Sequence, residues 1–264
     1  MKLGLSTWSF LSTDVYSAVS FIGDAGFDYI ELWGEVPHAY PGWIDKKRLL
    51  DILSNYNMVV TTHAPFTDLN PASPFQPVKG AVEETLEGFV EFSSDLGAAM
   101  VTMHPGSVHN AALVPRSEGT SVEVLRKMIK VAGGRLSINV ENVMRNTSKY
   151  HYPLASTIES LESILADVGG SKCTLDTGHA YASGLDLVAM ADRLGDKIAE
   201  IHLHDNPGST DDHLIPGSGN AHLRGLMDKM SGKEVLVCLE LNPYKYSQGE
   251  VLEYAKRAKS QSVL

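Results

Sequence analysis

Short apolar runs alternate along the chain with longer segments whose apolar residues recur every three or four positions. In the first half the runs are Leu3–Trp8, Tyr29–Trp33, Val59–His63 and Met100–His104. In the second half they are Leu136–Glu141, Cys173–Asp176, Glu200–His204 and Val235–Glu240. Most are bounded by polar, glycine or proline residues, the pattern of strands covered on both faces. Between them the periodicity is helical. Asp14 is placed to cap a helix over Val15–Ala25, with Gly26 just past its end. Val82–Leu96 sets Val82, Leu86, Phe89, Val90 and Leu96 on one face and stops at Gly97. Further helices are expected over Val122–Val131, Ile158–Val168, Leu185–Leu194 and Gly249–Lys259.

No charge-rich or proline-rich linker interrupts this alternation, so it predicts one α/β unit, a single (β/α)8 TIM barrel over residues 1–264. From His63 to Glu240 the strand ends fall about 35 residues apart, close to the roughly 33 that eight units in this length allow. An open doubly wound sheet would want a glycine-rich phosphate turn after its first strand. The segment there, STWSFLST, has none.

Composition narrows the function classes. The formal net charge is −10, a field that disfavours extended contact with a nucleic-acid backbone unless bound metal reverses it locally. Cys173 and Cys238 lie inside apolar strands with no CxxC pair, so they read as core residues, and a thiolate zinc site is not indicated. No apolar run reaches 18 residues, which argues against a membrane span. The chain opens on an apolar strand rather than a charged leader, giving a cytoplasmic expectation.

The candidate chemistry follows from where histidines and carboxylates fall. In a barrel the C-terminal strand ends converge on one face. Here strand three ends in His63, strand four in His104, strand five in Glu141 and strand six in Asp176, with His179 just beyond. Strand seven carries His202 and His204, strand eight ends in Glu240, and the loop after strand seven adds Asp211 and His213. A buried unpaired charge costs several kcal/mol, and six such strand ends in succession are best balanced by divalent metal. His202 and His204 share a face at different depths, so either could be the ligand. Asp205 reads as a loop cap or as an acceptor behind the ligands. Trp8, Trp33 and Trp43 near the ends of strands one and two could stack on a sugar or pack the rim. Arg145, Lys149 and Lys245 could hold a substrate phosphate or be solvated loop charges. Segment 65–80, with four prolines, could be a semi-rigid lid or a subunit contact, and a homo-oligomer stays open.

THAPF, HPG, VEN, LDTGHAYASG, HLHDN, DDHLIPGSGN and LELNP, in this order, resemble the motifs of the xylose isomerase-like TIM barrels. That superfamily holds sugar isomerases and epimerases together with endonuclease IV. In the isomerase branch the resemblance implies one divalent ion (Mn, Co or Mg) on Glu141, Asp176, His202 and Glu240. The two glutamates would move a proton next to a carbonyl of a small sugar, sugar phosphate or polyol, and His179 would bind a substrate hydroxyl. In the endonuclease IV branch it implies up to three zinc ions on nine ligands, adding His63, His104, His179, Asp211 and His213, for phosphodiester cleavage in abasic DNA.

The departures favour the isomerase branch. No arginine occurs between positions 1 and 47, Phe66-Thr67 stands where a Tyr-Leu pair is expected, and the motif reads DDH rather than DRH, with Asp212 adding negative charge. Dehydratases and inactive metal-binding relatives remain a third class.

Overall fold

The computed structural model describes residues 1–145 and 150–261. Its centre is a closed barrel of eight parallel strands in sequential order. These are β1 (Lys2–Ser6), β2 (Tyr29–Trp33), β3 (Val59–His63) and β4 (Met100–Met103), then β5 (Ser137–Glu141), β6 (Lys172–Asp176), β7 (Ile198–Leu203) and β8 (Leu236–Leu239). β1 pairs with β8 to close the ring. The helices on its outside are α1 (Val15–Asp24), α2 (Lys46–Leu53), α3 (Gln76–Asp95), α4 (Val114–Ala132) and α5 (Ile158–Val168). α6 (Thr177–Ala182), α7 (Leu187–Leu194), α8 (Leu223–Met230) and α9 (Gln248–Gln261) complete the set. None among the described residues is long and apolar enough to cross a membrane.

Local signals account for most boundaries. The Asp14 carboxylate accepts from the Ser17 backbone and caps α1, and Gly26 follows at φ 76°. Two helices begin earlier than their periodicity suggests, α3 at Gln76 and α4 at Val114, because each takes a proline in its first turn, where no N–H is needed. Gly80, Gly88 and Gly119 inside them weaken the helical pattern without breaking it. The first strand stops at Ser6, whose hydroxyl accepts from the Trp8 backbone and turns the chain into a short 3-10 segment over Thr7–Phe10.

Two levels of polar residues fill the barrel interior. Near its middle the Glu200 carboxylate is fully buried and accepts hydrogen bonds from hydroxyls, with His202 Nε2 further off at 4.0 Å. Thr61, Thr102 and Thr174 donate to it at 3.1, 2.8 and 3.2 Å, and Tyr29 also donates. Two glycines make room for the level above. A Cβ at Gly34 would lie 2.2 Å from the His63 carbonyl and 2.5 Å from the Phe89 ring. A Cβ at Gly178 would lie 1.9 Å from the His204 ring.

Candidate metal centre at the barrel mouth

The strand ends bring the nine expected ligands into one cluster. Glu141 is its hub. His63 and His104 each meet its Oε2, at 3.1 and 3.0 Å, and His202 Nδ1 lies 3.2 Å from its Oε1. The same Nδ1 lies 3.5 Å from Glu240 Oε2 and 3.9 Å from Asp176 Oδ2. Three carboxylates from β5, β6 and the end of β8 therefore face one imidazole nitrogen of β7.

Above this, Asp211 Oδ2 lies 3.2 Å from both His179 Nε2 and His213 Nε2. The loop that delivers Asp211 and His213 is tied down by Asp205. That carboxylate accepts from the backbones of Asn206, Gly217, Gly219 and Ala221 at 2.9–3.0 Å, a loop-capping role as the sequence suggested.

His202 and His204 both point inward but do different things. His202 sits deeper, with Nε2 3.0 Å from Glu31 Oε2. His204 Nε2 spans the two oxygens of Asp176, at 3.1 and 3.0 Å, and its ring stacks on His213. Sequence reasoning singled out neither Glu31 nor Glu200. The available signal was a carboxylate on the same strand face as Trp33 or His202.

The electrostatics follow from close packing of like charge. Burial opposes ionisation of Glu141, but His104 and His202 outweigh it and hold its carboxyl well below the usual range. Burial dominates at Glu240, aided by Glu31 and only partly offset by His202, and raises its carboxyl to about 7. Burial also disfavours charge on His63, yet its bond to Glu141 prevails and raises its pKa to about 9. His104, on the same carboxylate oxygen, goes the other way: burial lowers it.

These residues fit a divalent cation. Three buried polar atoms in the cluster, His204 Nδ1, Asp211 Oδ1 and Glu240 Oε1, have no hydrogen-bond partner among the described residues, and leaving such atoms unpaired costs about 1–3 kcal/mol each. Ligand-type atoms of His63, Glu141 and His202 lie within 4.8 Å of one another, as do those of Glu141, Asp176 and His179, and of His179, Asp211 and His213.

A cavity of about 330 Å³ opens onto the cluster, walled by Trp8, Trp33, Phe66, Asn242 and Tyr244. Phe66 stacks on His104 at 4.4 Å and is fixed there by Glu35, which accepts from the Phe66 and Thr67 backbones at 2.7 and 2.6 Å. Among the described residues no lysine or arginine lines this cavity. Lys245 instead pairs with Asp212. Arg145 is exposed, and its described contact is a backbone bond to Ser183. Lys149 lies outside the described residues, and Trp43 is exposed rather than in the cavity wall.

Residues 19–258 match the family model of the xylose isomerase-like TIM barrel. The fructoselysine 3-epimerase of Escherichia coli O157:H7 is 24% identical over 236 residues, covering 86% of this chain and 84% of that enzyme. A probable endonuclease 4 of Mycobacterium leprae is 27% identical over 198 residues, 70% of this chain and 75% of the relative. Among solved structures, a D-tagatose 3-epimerase-like protein superposes with a TM-score of 0.82 at 26% identity, with full coverage of both chains. The chain belongs to the xylose isomerase-like TIM barrel family.

Proposed function

We propose that the protein is a divalent-metal-dependent epimerase or isomerase of a small, uncharged sugar or polyol. The observation that carries this reading is the cavity itself. Its volume suits a monosaccharide, its walls are aromatic, and no described cation lines it to receive a phosphate chain. The metal would rest on Glu141, Asp176, His202 and Glu240. When bound, it would supply Lewis acidity to the substrate carbonyl and offset most of the charge of the three carboxylates. Glu141 and Glu240 come from strands three places apart around the barrel, so they reach a substrate from different sides. One carboxylate takes the proton from the carbon next to the carbonyl, and the other, as its acid, returns a proton to the opposite face. In the metal-free site the two carboxyls are pushed in opposite directions, Glu141 down and Glu240 up, so their surroundings already differ. His179, which lines the cavity, would hold a substrate hydroxyl.

The test is to incubate the Mn²⁺-loaded protein with a panel of ketohexoses in D₂O and follow deuterium by NMR. Deuterium should enter next to the carbonyl with inversion there, and Glu141→Gln should slow it by about 10³-fold. No exchange with any ketose would overturn the reading.

One observation favours a second reading. His63 and His104 share one oxygen of Glu141, and His179 and His213 share one of Asp211. Such paired contacts suit a multinuclear zinc phosphodiesterase, in which five further residues become ligands. Three tightly held zinc ions per chain, with metal and phosphodiesterase activity both lost in His104→Ala, would establish it. One exchangeable ion, retained in His104→Ala, would exclude it.

A further inference from the structure

Glu31 is fully buried on β2, below the cluster, with no lysine or arginine among its described partners. Its described hydrogen-bond donors are two. His202 Nε2 lies 3.0 Å from Oε2, and the Cys238 thiol lies 3.8 Å from Oε1, a long and weak contact. A buried carboxylate so poorly supplied needs a hydrogen on His202 Nε2. If that hydrogen were on Nδ1 alone, a lone pair at Nε2 would face Glu31 at hydrogen-bond distance. With that hydrogen on Nε2, the opposite ring nitrogen, Nδ1, keeps a lone pair for a cation among Glu141, Glu240 and Asp176, which it faces at 3.2, 3.5 and 3.9 Å.

We infer that Glu31 is a positioning residue that locks His202 in the Nε2–H tautomer and so presents Nδ1 as the metal-binding atom. This rests on the reading that a divalent ion binds among these four residues. Carboxylate–histidine–metal chains raise the basicity of the ligating nitrogen and hold the ring in plane, and losing the outer carboxylate weakens metal binding by about 10–100-fold. The ring has little other freedom, since Cys238 and Asp176 are its register neighbours on the adjoining strands.

Titrating metal-free protein with Co²⁺ and following its visible absorption gives affinity, stoichiometry and ligand field together. Glu31→Gln keeps the size of the side chain and should leave metal-free thermal unfolding within a few degrees. The first Co²⁺ should bind at least about 10-fold more weakly, with a shifted absorption band. Equal affinity and an unchanged band in Glu31→Gln would overturn the inference. Should the variant fail to fold, ¹⁵N imidazole spectra of the unaltered zinc-loaded protein decide: His202 protonated at Nε2 supports the inference, and protonation at Nδ1 overturns it. Several Co²⁺ per unaltered chain, with the first still weakened by Glu31→Gln, would overturn the one-metal reading and uphold the role of Glu31. No Co²⁺ bound by the unaltered chain would overturn both.

Discussion

The imidazoles of His204 and His213 lie face to face, with ring centroids 3.7 Å apart and planes 11° from parallel. One ring stands just past β7, and the other belongs to the loop that returns from it, where His213 takes an uncommon left-handed backbone at φ 47°. Holding a histidine there costs of order 1 kcal/mol, which must be met by contacts around the loop. The Asp205 carboxylate supplies four of them, and Asn242 two more to the carbonyls of Asp212 and His213.

Asp205→Ala should therefore act on both stability and metal binding. Four backbone N–H groups lose their acceptor, and the loop bearing Asp211 and His213 is left to its remaining ties, among them the bonds from Asn242 to the Asp212 and His213 carbonyls. We expect a loss of about 2–4 kcal/mol and a smaller rise in unfolding temperature on adding Mn²⁺. Calorimetry with and without metal measures both, and an unchanged metal-free transition would contradict the anchoring role.

The metal-free protein should lose stability as pH rises from about 4.5 to 9. Glu240 is raised to about 7 from 4.5, so the folded state holds its proton more tightly, and that contribution fades between these values. His63 is raised to about 9 from 6.5, so its contribution is complete below pH 6.5 and is lost through pH 9. The latter amounts to at most about 3 kcal/mol. Urea unfolding at pH 6, 7.5 and 9 reads this directly. His179, His202 and His213 are raised as well and lose their contributions over the same rise. His63→Asn should therefore make the slope between pH 6.5 and 9 shallower without abolishing it, and an unchanged slope would refute the assignment.

Trp33 presents its ring to the cavity and packs 4.8 Å from the ring of His63. Trp33→Ala removes stacking surface for a sugar without touching a carboxylate. The expected outcome is a KM raised about 10-fold with kcat changed much less. A collapse of kcat at constant KM would assign the ring to the chemistry instead.

Lys245 tests the charge of the substrate. Its ammonium is engaged by Asp212 at a partly exposed position, where an ion pair adds little stability. Lys245→Ala should leave KM for an unphosphorylated ketose within about twofold and the unfolding temperature within about 2 °C. If only a phosphorylated sugar were turned over, and its KM rose sharply in this variant, the substrate class would have to be redrawn.

Much of the site was legible because barrel strand ends are fixed by chain order alone: His63, His104, Glu141, Asp176 and Glu240 each close a short apolar run. The alternation of a strand also placed His202 and His204 on one face, but not which would sit below. Depth depends on the barrel's stagger and on Glu31, a residue hidden inside the apolar run of β2. Phe66 stood out only as a departure from a Tyr-Leu pair, since a loop residue has no period, and its place on His104 depends on Glu35, thirty-one positions earlier. Helices α2 and α8 were not anticipated. α8 carries Gly225 in its interior, where a Cβ would lie 3.0 Å from Val188 of α7, so tight packing there replaces intrinsic helical preference.

The hydroxyl cage around Glu200 has a mechanical consequence. Tyr29, Thr61, Thr102 and Thr174 come from β2, β3, β4 and β6, and they converge on a carboxylate of β7. Five of the eight staves are thus fastened to a single hub from beneath. The strands that carry His63, Asp176 and His202 are braced by that axle, so the loops of the rim can be refitted for a different substrate while these spokes stay true.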